Sequence, residues 1–418
     1  MNYWGDPFGR AEALRHQSII ATYYVSADGY SGTLQKAGGF AVGQTIGTWV
    51  SVPGVSQEMV ERYQGHVVGL YDADPQSADA KHFFLRVAFP IANFGGSLTQ
   101  MMTALVGNDV STSLKSKLID LELCCDAASA FTGPRLGMEY LRELTGIRNR
   151  PLVLNMIKPC AGFSPEEGAK LFRQVALGGV DLIKDDELLG SPIYNDVAKR
   201  TALYLKEANR AADITGHRAL YLPNISGRPQ QMREHIRAVL DAGAQACLIN
   251  FVFGGLDTLL ELSEEFGNQI FMLAHYAGFS VMDAIDSGIS SNVFLGILPR
   301  LAGAHSVMTM CPRLNDPSAV HTFVQTVQMQ RLPIPGIAPV VTTVGGGITP
   351  VNQRPLQQLL GQDTIIGIGG AIQGHPMGAT EGARAAMCAV QATADAVALE
   401  DAAIRCEPLR VALELWPA

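Results

Sequence analysis

Gly178-Gly179-Val180-Asp181-Leu182-Ile183-Lys184-Asp185-Asp186-Glu187 turns out of a helix on two glycines, climbs a short strand over Val180–Lys184 and ends in three consecutive acids. On a strand of period two Lys184 and Asp186 project to one face, and Glu187 follows on the loop, free to bend back toward them. From Pro151 onward the same grammar repeats. The other strand candidates are Leu152–Ile157, Ala219–Asn224, Ala246–Phe251, Ile270–His275, Ser306–Met310, Pro339–Val344 and Thr364–Ile368. Between them lie helix-length segments: Pro165–Ala176, opened by Ser164 as N-cap, then Val197–Ala212, Pro229–Ala242, Ala319–Gln328 and Thr380–Ala398. Buried strands alternating with helices are parallel βα units, and eight of them predict a closed (β/α)8 TIM barrel over residues 146–418. A doubly wound sheet would want a GxGxxG turn after its first strand, and none is present. Residues 400–418 read as a helical tail on the barrel exterior.

Residues 1–145 mix strand-like runs (Ile20–Val25, Thr45–Val52, His82–Phe89, Leu118–Leu123) with helices near Gln57–Tyr63 and Ser97–Val106. Their βαββαβ-like order predicts a small α+β domain ahead of the barrel, so the fold class is α/β with an N-terminal α+β domain.

The 418 residues are 47% hydrophobic and 17% charged, with a net charge of −8, the composition of a globular protein. No basic stripe exists to neutralise a phosphate backbone, so a nucleic-acid partner is not expected. No apolar run is long enough for a membrane span and the first residues do not form a signal peptide, which predicts a cytoplasmic protein. The seven cysteines are odd in number and lack CxxC spacing; they read as reduced thiols, mostly in the core.

Chemistry in a βα barrel sits where strands end. Here the strand ends carry Lys158, the Lys184–Glu187 run, Asn224, His275, Gly345-Gly346-Gly347 and Gly369-Gly370. Asp186 and Glu187 suit Mg²⁺, which prefers oxygen ligands. An ammonium beside that ion would be repelled, unless Lys184 is deprotonated and converted by CO₂ to a carbamate, a third anionic oxygen ligand. The same residues would equally make a salt-bridge cluster. Gly346, Gly347, Gly369 and Gly370 let backbone N–H groups approach a phosphate, as loops after strands 7 and 8 of barrels often do, although glycine also serves plain turns. His275 suits a proton shuttle, a phosphate contact or a structural role, and Lys158 either a surface cation or an electrophile for an enolate oxygen.

In this order the residues resemble the RuBisCO large subunit, and more closely the RuBisCO-like proteins of form IV. The decapeptide Gly178–Glu187 is the most specific match. Ile157-Lys158-Pro159, Gly47-Thr48-Trp49, Gly107-Asn108, Ala274-His275, Gly345–Gly347 and Gly369-Gly370 with Gly374-His375-Pro376 support it. The resemblance implies that the N-terminal domain is ferredoxin-like. It implies Mg²⁺ on Lys184, Asp186 and Glu187, with Lys158 acting on an enolisable substrate. It further implies a homodimer in which Thr48, Trp49 and Asn108 of one subunit reach the partner's barrel mouth, Thr48 and Trp49 joining the four glycines around phosphate and Asn108 near the metal.

Departures from the family pattern narrow the activity. Cys160 stands where the family has a second lysine, Tyr276 where an arginine follows the histidine, and Met310–Leu314 lacks the family's CO₂-facing lysine. A further histidine that the family usually has after strand 6 is replaced, the segment reading Gly303-Ala304-His305-Ser306-Val307, and the family's acidic residue before Thr48-Trp49 is missing, with Gly43 near that place. These losses predict no CO₂ fixation on ribulose bisphosphate, with Cys160 and Tyr276 lining a less cationic non-phosphate end. The methionine-salvage branch resembles an enolase that uses a lysine where Asn108 stands, and an amide is no base. Loss of CO₂ from a β-keto acid needs none. The expectation is therefore decarboxylation or C–C hydrolysis of a 3-oxo acid phosphate such as 3-oxo-isoapionate 4-phosphate. The alternatives are an enolase or isomerase of methylthio-pentose phosphates, and an inactive interaction or stress protein.

Overall fold

The computed structural model describes residues 3–5, 17–27, 29–47, 50, 52–74, 81–108, 114–123 and 128–416. The N-terminal sheet is built from β1 (Tyr3–Gly5), β2 (Ser18–Ser26), β3 (His66–Asp72), β4 (His82–Pro90) and β5 (Lys115–Leu123), antiparallel in the order β1-β3-β4-β2-β5. Helices α1 (Tyr30–Gly43), α2 (Gln57–Tyr63) and α3 (Leu98–Val106) complete the domain. Tyr23 and Phe89 from the sheet pack with Phe40 of α1 and Leu105 of α3, and the buried Tyr23 hydroxyl donates to the Leu105 carbonyl at 2.8 Å.

The βαββαβ order holds, but two of its elements are not those expected from sequence. Helix α1 contains Gly32, Gly38 and Gly39, and β3 carries Gly69 at a register shift; glycine weakens both a helical and a strand pattern. The strand expected over Thr45–Val52 is not formed in its described part, where residues 44–46 make a turn after α1. Thr48, Trp49 and Ser51 lie outside the described residues.

The barrel strands are β6 (Leu152–Met156), β7 (Leu182–Lys184), β8 (Leu220–Leu222), β9 (Ala246–Asn250) and β10 (Phe271–His275). A two-residue β11 (Gly288–Ile289) leaves the barrel to extend the N-terminal sheet beside β5, and β12 (Ser306–Met310), β13 (Val341–Gly345) and β14 (Thr364–Gly367) follow. The parallel order is β8-β7-β6-β14-β13-β12-β10-β9. The circle closes where the Leu248 N–H donates to Pro223 and the Ile225 N–H to Leu248, at 2.9 and 3.0 Å. All eight expected strands are present, mostly trimmed by one or two residues.

Alternation divides each strand between two cores. Leu152, Leu154, Leu182, Leu220, Leu248, Phe271 and Leu273 fill the interior, whereas Val153, Ile183, Tyr221, Ile249 and Met272 face the surrounding helices. Helix α4 (Met138–Thr145) inserts Leu141 among the interior side chains. The outer helices include α5 (Pro165–Ala176), α6 (Val197–Thr215), α7 (Pro229–Asp241), α8 (Leu256–Phe266), α9 (Pro317–Arg331), α10 (Gln353–Leu360), α11 (Ala379–Ala394) and α12 (Glu407–Leu415). Ser164 caps α5 as expected, in a reciprocal pair with Glu167 worth about 1 kcal/mol. Among the described residues no helix is long and apolar enough to cross a membrane.

The C-terminal segment corrects two expectations. Cys388 on α11 and Cys406 before α12 are joined in a disulfide, not reduced, because the apolar cluster of Ala389, Leu399, Ala403 and Leu409 brings their backbones together. The tail does pack on α11, but its last described residue, Trp416, reaches the barrel mouth instead of staying on the exterior.

Candidate active site

Strand β7 sets the site. Leu182 faces the barrel interior and Ile183 the helices, so Lys184 points up into the mouth and Asp185 outward. Lys184 is fully buried. Its Nζ donates to the Asp185 carbonyl at 3.0 Å and to Glu187 Oε2 at 3.3 Å. From the end of β6, Lys158 donates to Asp186 Oδ2 at 2.5 Å and to Cys160 Sγ at 3.2 Å. From the end of β10, His275 Nε2 lies 3.4 Å from Glu187 Oε2. The sequence-predicted Lys158, Lys184, Asp186, Glu187 and His275 thus form one cluster.

Beneath it is a brace that sequence reasoning missed. Asp185 accepts from Arg200 Nε at 3.0 Å, from the Tyr221 hydroxyl at 2.7 Å and from the Asn224 N–H at 2.8 Å. Asn224 Nδ2 donates to the carbonyls of Asp186 and Glu187, and Asn250 Nδ2 to that of Glu187. Pinning Asp185 outward and holding the next two carbonyls fixes where Lys184, Asp186 and Glu187 can point. Arg200 sits on α6 with no local signal of its partner; only its complete burial in a barrel-facing position marks it.

The electrostatics follow from this packing. Burial pushes the Lys184 ammonium below its ordinary pKa and the Lys158 charge adds to that, against the pull of Glu187 and Asp186. Burial also works against the Lys158 charge, but hydrogen bonds to Asp186 and Cys160 outweigh it and raise that pKa. Burial resists ionisation of Glu187, which Lys184 nevertheless holds in the low carboxylate range. His275 is driven well below its usual value by burial and then by Lys184. The Ala277 N–H donates to His275 Nδ1 at 3.1 Å. In the neutral ring that assignment leaves the proton on Nε2, so the nitrogen facing the cluster is a donor.

Above the cluster is a cavity of about 390 Å³ whose walls include Lys158, Glu187, His275, Gly346, Gly347, Gly369, Gly370 and Trp416. Gly346 and Gly347 adopt φ of 96° and 69°, and a Cβ on Gly346 would meet Met310 Sδ at 2.4 Å. A Cβ on Gly369 would come within 3.3 Å of Met156. The positive φ at Gly346 and Gly347 is what calls for glycine at this end of the cavity, whereas a Cβ at Gly370 would meet open space. Tyr276 borders it with its hydroxyl pushed up to about 12, mainly by burial, and so stays protonated. Asn108 is exposed and borders a separate depression of the N-terminal domain with Lys36, Gln44 and Thr45; within one chain it does not join the cluster.

A divalent ion fits the donor set only on a condition. Among the described residues no group of three His, Cys, Asp or Glu side chains is placed to hold a metal. The cluster offers two carboxylates, Asp186 and Glu187, whose charge is balanced by the ammoniums of Lys158 and Lys184. Replacing that balance with Mg²⁺ requires Lys184 to supply an oxygen, and its burial favours the uncharged amine that CO₂ can modify.

Comparison with known proteins finds likenesses over nearly the whole chain. Residues 137–416 match the catalytic domain of the ribulose bisphosphate carboxylase large chain, and residues 12–124 its N-terminal domain. A ribulose bisphosphate carboxylase-like protein of Archaeoglobus fulgidus is 35% identical over 382 residues, covering 90% of this chain and 87% of that protein. The 2,3-diketo-5-methylthiopentyl-1-phosphate enolase of Bacillus licheniformis is 31% identical over 406 residues, 95% of this chain and 98% of the enzyme. The crystal structure of a rubisco-like protein (MtnW) from Alicyclobacillus acidocaldarius superposes with a TM-score of 0.86 at 32% identity, covering 95% and 99% of the two chains.

Proposed function

The chain belongs to the ribulose bisphosphate carboxylase large-chain family, in its RuBisCO-like form IV branch, and from that premise we propose that it is a Mg²⁺-dependent enzyme that enolises a phosphorylated keto compound. The observation that carries the reading is the convergence of Lys158, Lys184, Asp186, Glu187 and the His275 Nε2–H beneath a glycine-lined cavity.

Asp186, Glu187 and a carbamate on Lys184 would hold Mg²⁺, which would supply Lewis-acid polarisation of a keto oxygen. The carbamate forms by attack of the neutral Lys184 amine on CO₂ with release of one proton. The Lys158 ammonium and the His275 Nε2–H donate hydrogen bonds to the oxygen on which negative charge develops, a role worth several kcal/mol in a buried site. Because Nε2 already carries its proton, His275 acts as donor, and an oxygen of the Lys184 carbamate would take the proton that leaves carbon. Backbone N–H groups at Gly346, Gly347, Gly369 and Gly370 hold the phosphate, and Thr48 and Trp49 of a second subunit complete it in a homodimer that also brings Asn108 to the metal. The cytoplasm is the proposed location.

The likeness to 2,3-diketo-5-methylthiopentyl-1-phosphate enolases supports proton abstraction as the leading reaction. It ranks the enolase above the 3-oxo acid phosphate reading favoured from sequence. That second reading keeps one support, the amide at Asn108, which removes a base that decarboxylation would not need. Tyr276 and the lysine-free Met310–Leu314 segment argue against carboxylation of ribulose bisphosphate. The test is incubation in D₂O with Mg²⁺ and bicarbonate. Deuterium entering a 2,3-diketoalkyl 1-phosphate without CO₂ release supports enolisation; CO₂ release from 3-oxo-isoapionate 4-phosphate with no exchange on the diketone reverses the order.

A further inference from the structure

Among the described residues that line the cavity over the Lys184 cluster, Lys158 is the one lysine or arginine, and Asp186 already engages it. A phosphate beside the four glycines therefore depends on uncharged N–H groups. Trp416 belongs to the same wall and is partly buried. Its indole can donate but not accept, and among the described residues nothing accepts from its Nε1–H. A buried indole N–H usually finds an acceptor; this one is short of it. The tail that carries Trp416 is fixed at several points. The Cys388–Cys406 disulfide ties the start of α12 to α11, Leu409 is buried with Ala389, Leu399 and Ala403, and the Trp416 N–H ends the helix on the Ala412 carbonyl at 2.9 Å. His375, from the Gly374-His375-Pro376 segment after β14, is buried. Its Nδ1 accepts the Met377 N–H at 3.2 Å, so its Nε2–H donates to the Pro408 carbonyl of α12, at 3.0 Å. The same ring lies 6.3 Å from that of Trp416. A segment that the chemistry of the cluster leaves unused thus clamps the tail beside Gly369 and Gly370.

We infer that Trp416 is a further binding residue for the substrate's phosphate, closing the glycine-lined end against water and lending it one uncharged N–H, and that His375 is the positioning residue that sets the indole there. The inference rests on the phosphate site proposed above and deepens it by adding a residue of the chain's own C-terminal tail. A phosphate held between glycine amides and an indole is shielded from water, where each N–H bond to it is stronger. That shielding offsets the shortage of cations.

Labelling the full-length protein with 5-fluorotryptophan gives ¹⁹F signals for Trp4, Trp49 and Trp416, and loss of one signal in Trp416→Phe assigns the third. Titration with methyl phosphate in Mg²⁺ and bicarbonate is expected to move the Trp416 signal with the midpoint that calorimetry gives for binding. Trp416→Ala, checked for folding by its thermal melt, binds methyl phosphate about tenfold or more weaker, the loss of one hydrogen bond to a charged group, and keeps the wild-type affinity for Mg²⁺. His375→Ala weakens methyl phosphate when Trp416 is present and adds nothing in the Trp416→Ala background, as expected of a residue that acts through the indole. A Trp416 signal that stays in place while methyl phosphate binds, wild-type affinity in Trp416→Ala, or a parallel loss of Mg²⁺ affinity in that variant overturns the inference and leaves the glycine site standing. Methyl phosphate that does not bind wild type at all defeats the phosphate site itself, and the role of Trp416 with it.

Discussion

Lys158 Nζ lies 2.5 Å from Asp186 Oδ2, so the two residues at the ends of neighbouring strands β6 and β7 share one proton-bearing contact at the barrel mouth. The contact keeps a cation within reach of whatever oxygen occupies the cavity, and the raised pKa of Lys158 keeps it charged at neutral pH. Lys158→Met, which keeps the length of the side chain, is expected to lower kcat for deuterium exchange by about 10²–10³ while KM changes little. Kinetics on the purified variant check it.

Asp185 is held by Arg200 and Tyr221, all buried. Arg200→Met leaves a buried carboxylate without its cation, and the expected loss is about 3–5 kcal/mol. Tyr221→Phe removes one hydrogen bond to a charged group, about 1.5–3 kcal/mol. Urea unfolding gives these values. Mg²⁺ affinity of the folded Tyr221→Phe protein is expected to fall as well, because Lys184 and Asp186 lose their fixed direction.

At the start of β7, Asp181 is buried and accepts from Arg150 at 2.6 and 2.9 Å and from the Val153 N–H at 2.8 Å, with the His217 ring 3.3 Å away. Burial raises its pKa, but the His217 and Arg150 contacts outweigh it and hold the carboxyl below its ordinary value. A depressed folded-state pKa contributes stability above the ordinary value of about 3.9, and the contribution disappears as the pH falls through the folded-state value. Asp181→Asn should therefore be markedly less stable than wild type at pH 7, with the gap closing only below about pH 4. Urea midpoints of the two proteins across that range measure it.

Gly346 combines a left-handed φ of 96° with a close approach to Met310 Sδ. Gly346→Ala is expected to cost about 1–3 kcal/mol of backbone strain and to displace the backbone N–H groups that face the cavity. Binding of methyl phosphate to the folded variant should weaken, and a variant that binds it as wild type does would remove this glycine from the phosphate site.

The barrel was legible because buried parallel strands are unbroken apolar runs, and Lys184, Asp186 and Glu187 were legible because period two puts the first two on one face. Helix α1 was not, since its glycines carry the signature of a turn. Arg200 and Trp416 were not, because what they touch is decided by how α6 and the tail dock on the barrel, which no local pattern encodes. The Cys388–Cys406 pairing depends on the same docking. Spacing placed His275 at the rim, but the direction of its proton emerged only with the Ala277 N–H on Nδ1.

Mg²⁺ binding measured by calorimetry in CO₂-saturated and CO₂-depleted buffer, on wild type and on Lys184→Ala, addresses the metal cluster itself. Wild type is expected to bind Mg²⁺ about tenfold or more tightly when CO₂ is present, the gain expected from a third anionic ligand, and the variant to show no such gain. Equal affinity with and without CO₂ in wild type, or a CO₂-dependent gain that persists in Lys184→Ala, would contradict the assignment of Lys184 as the carbamate that completes the site.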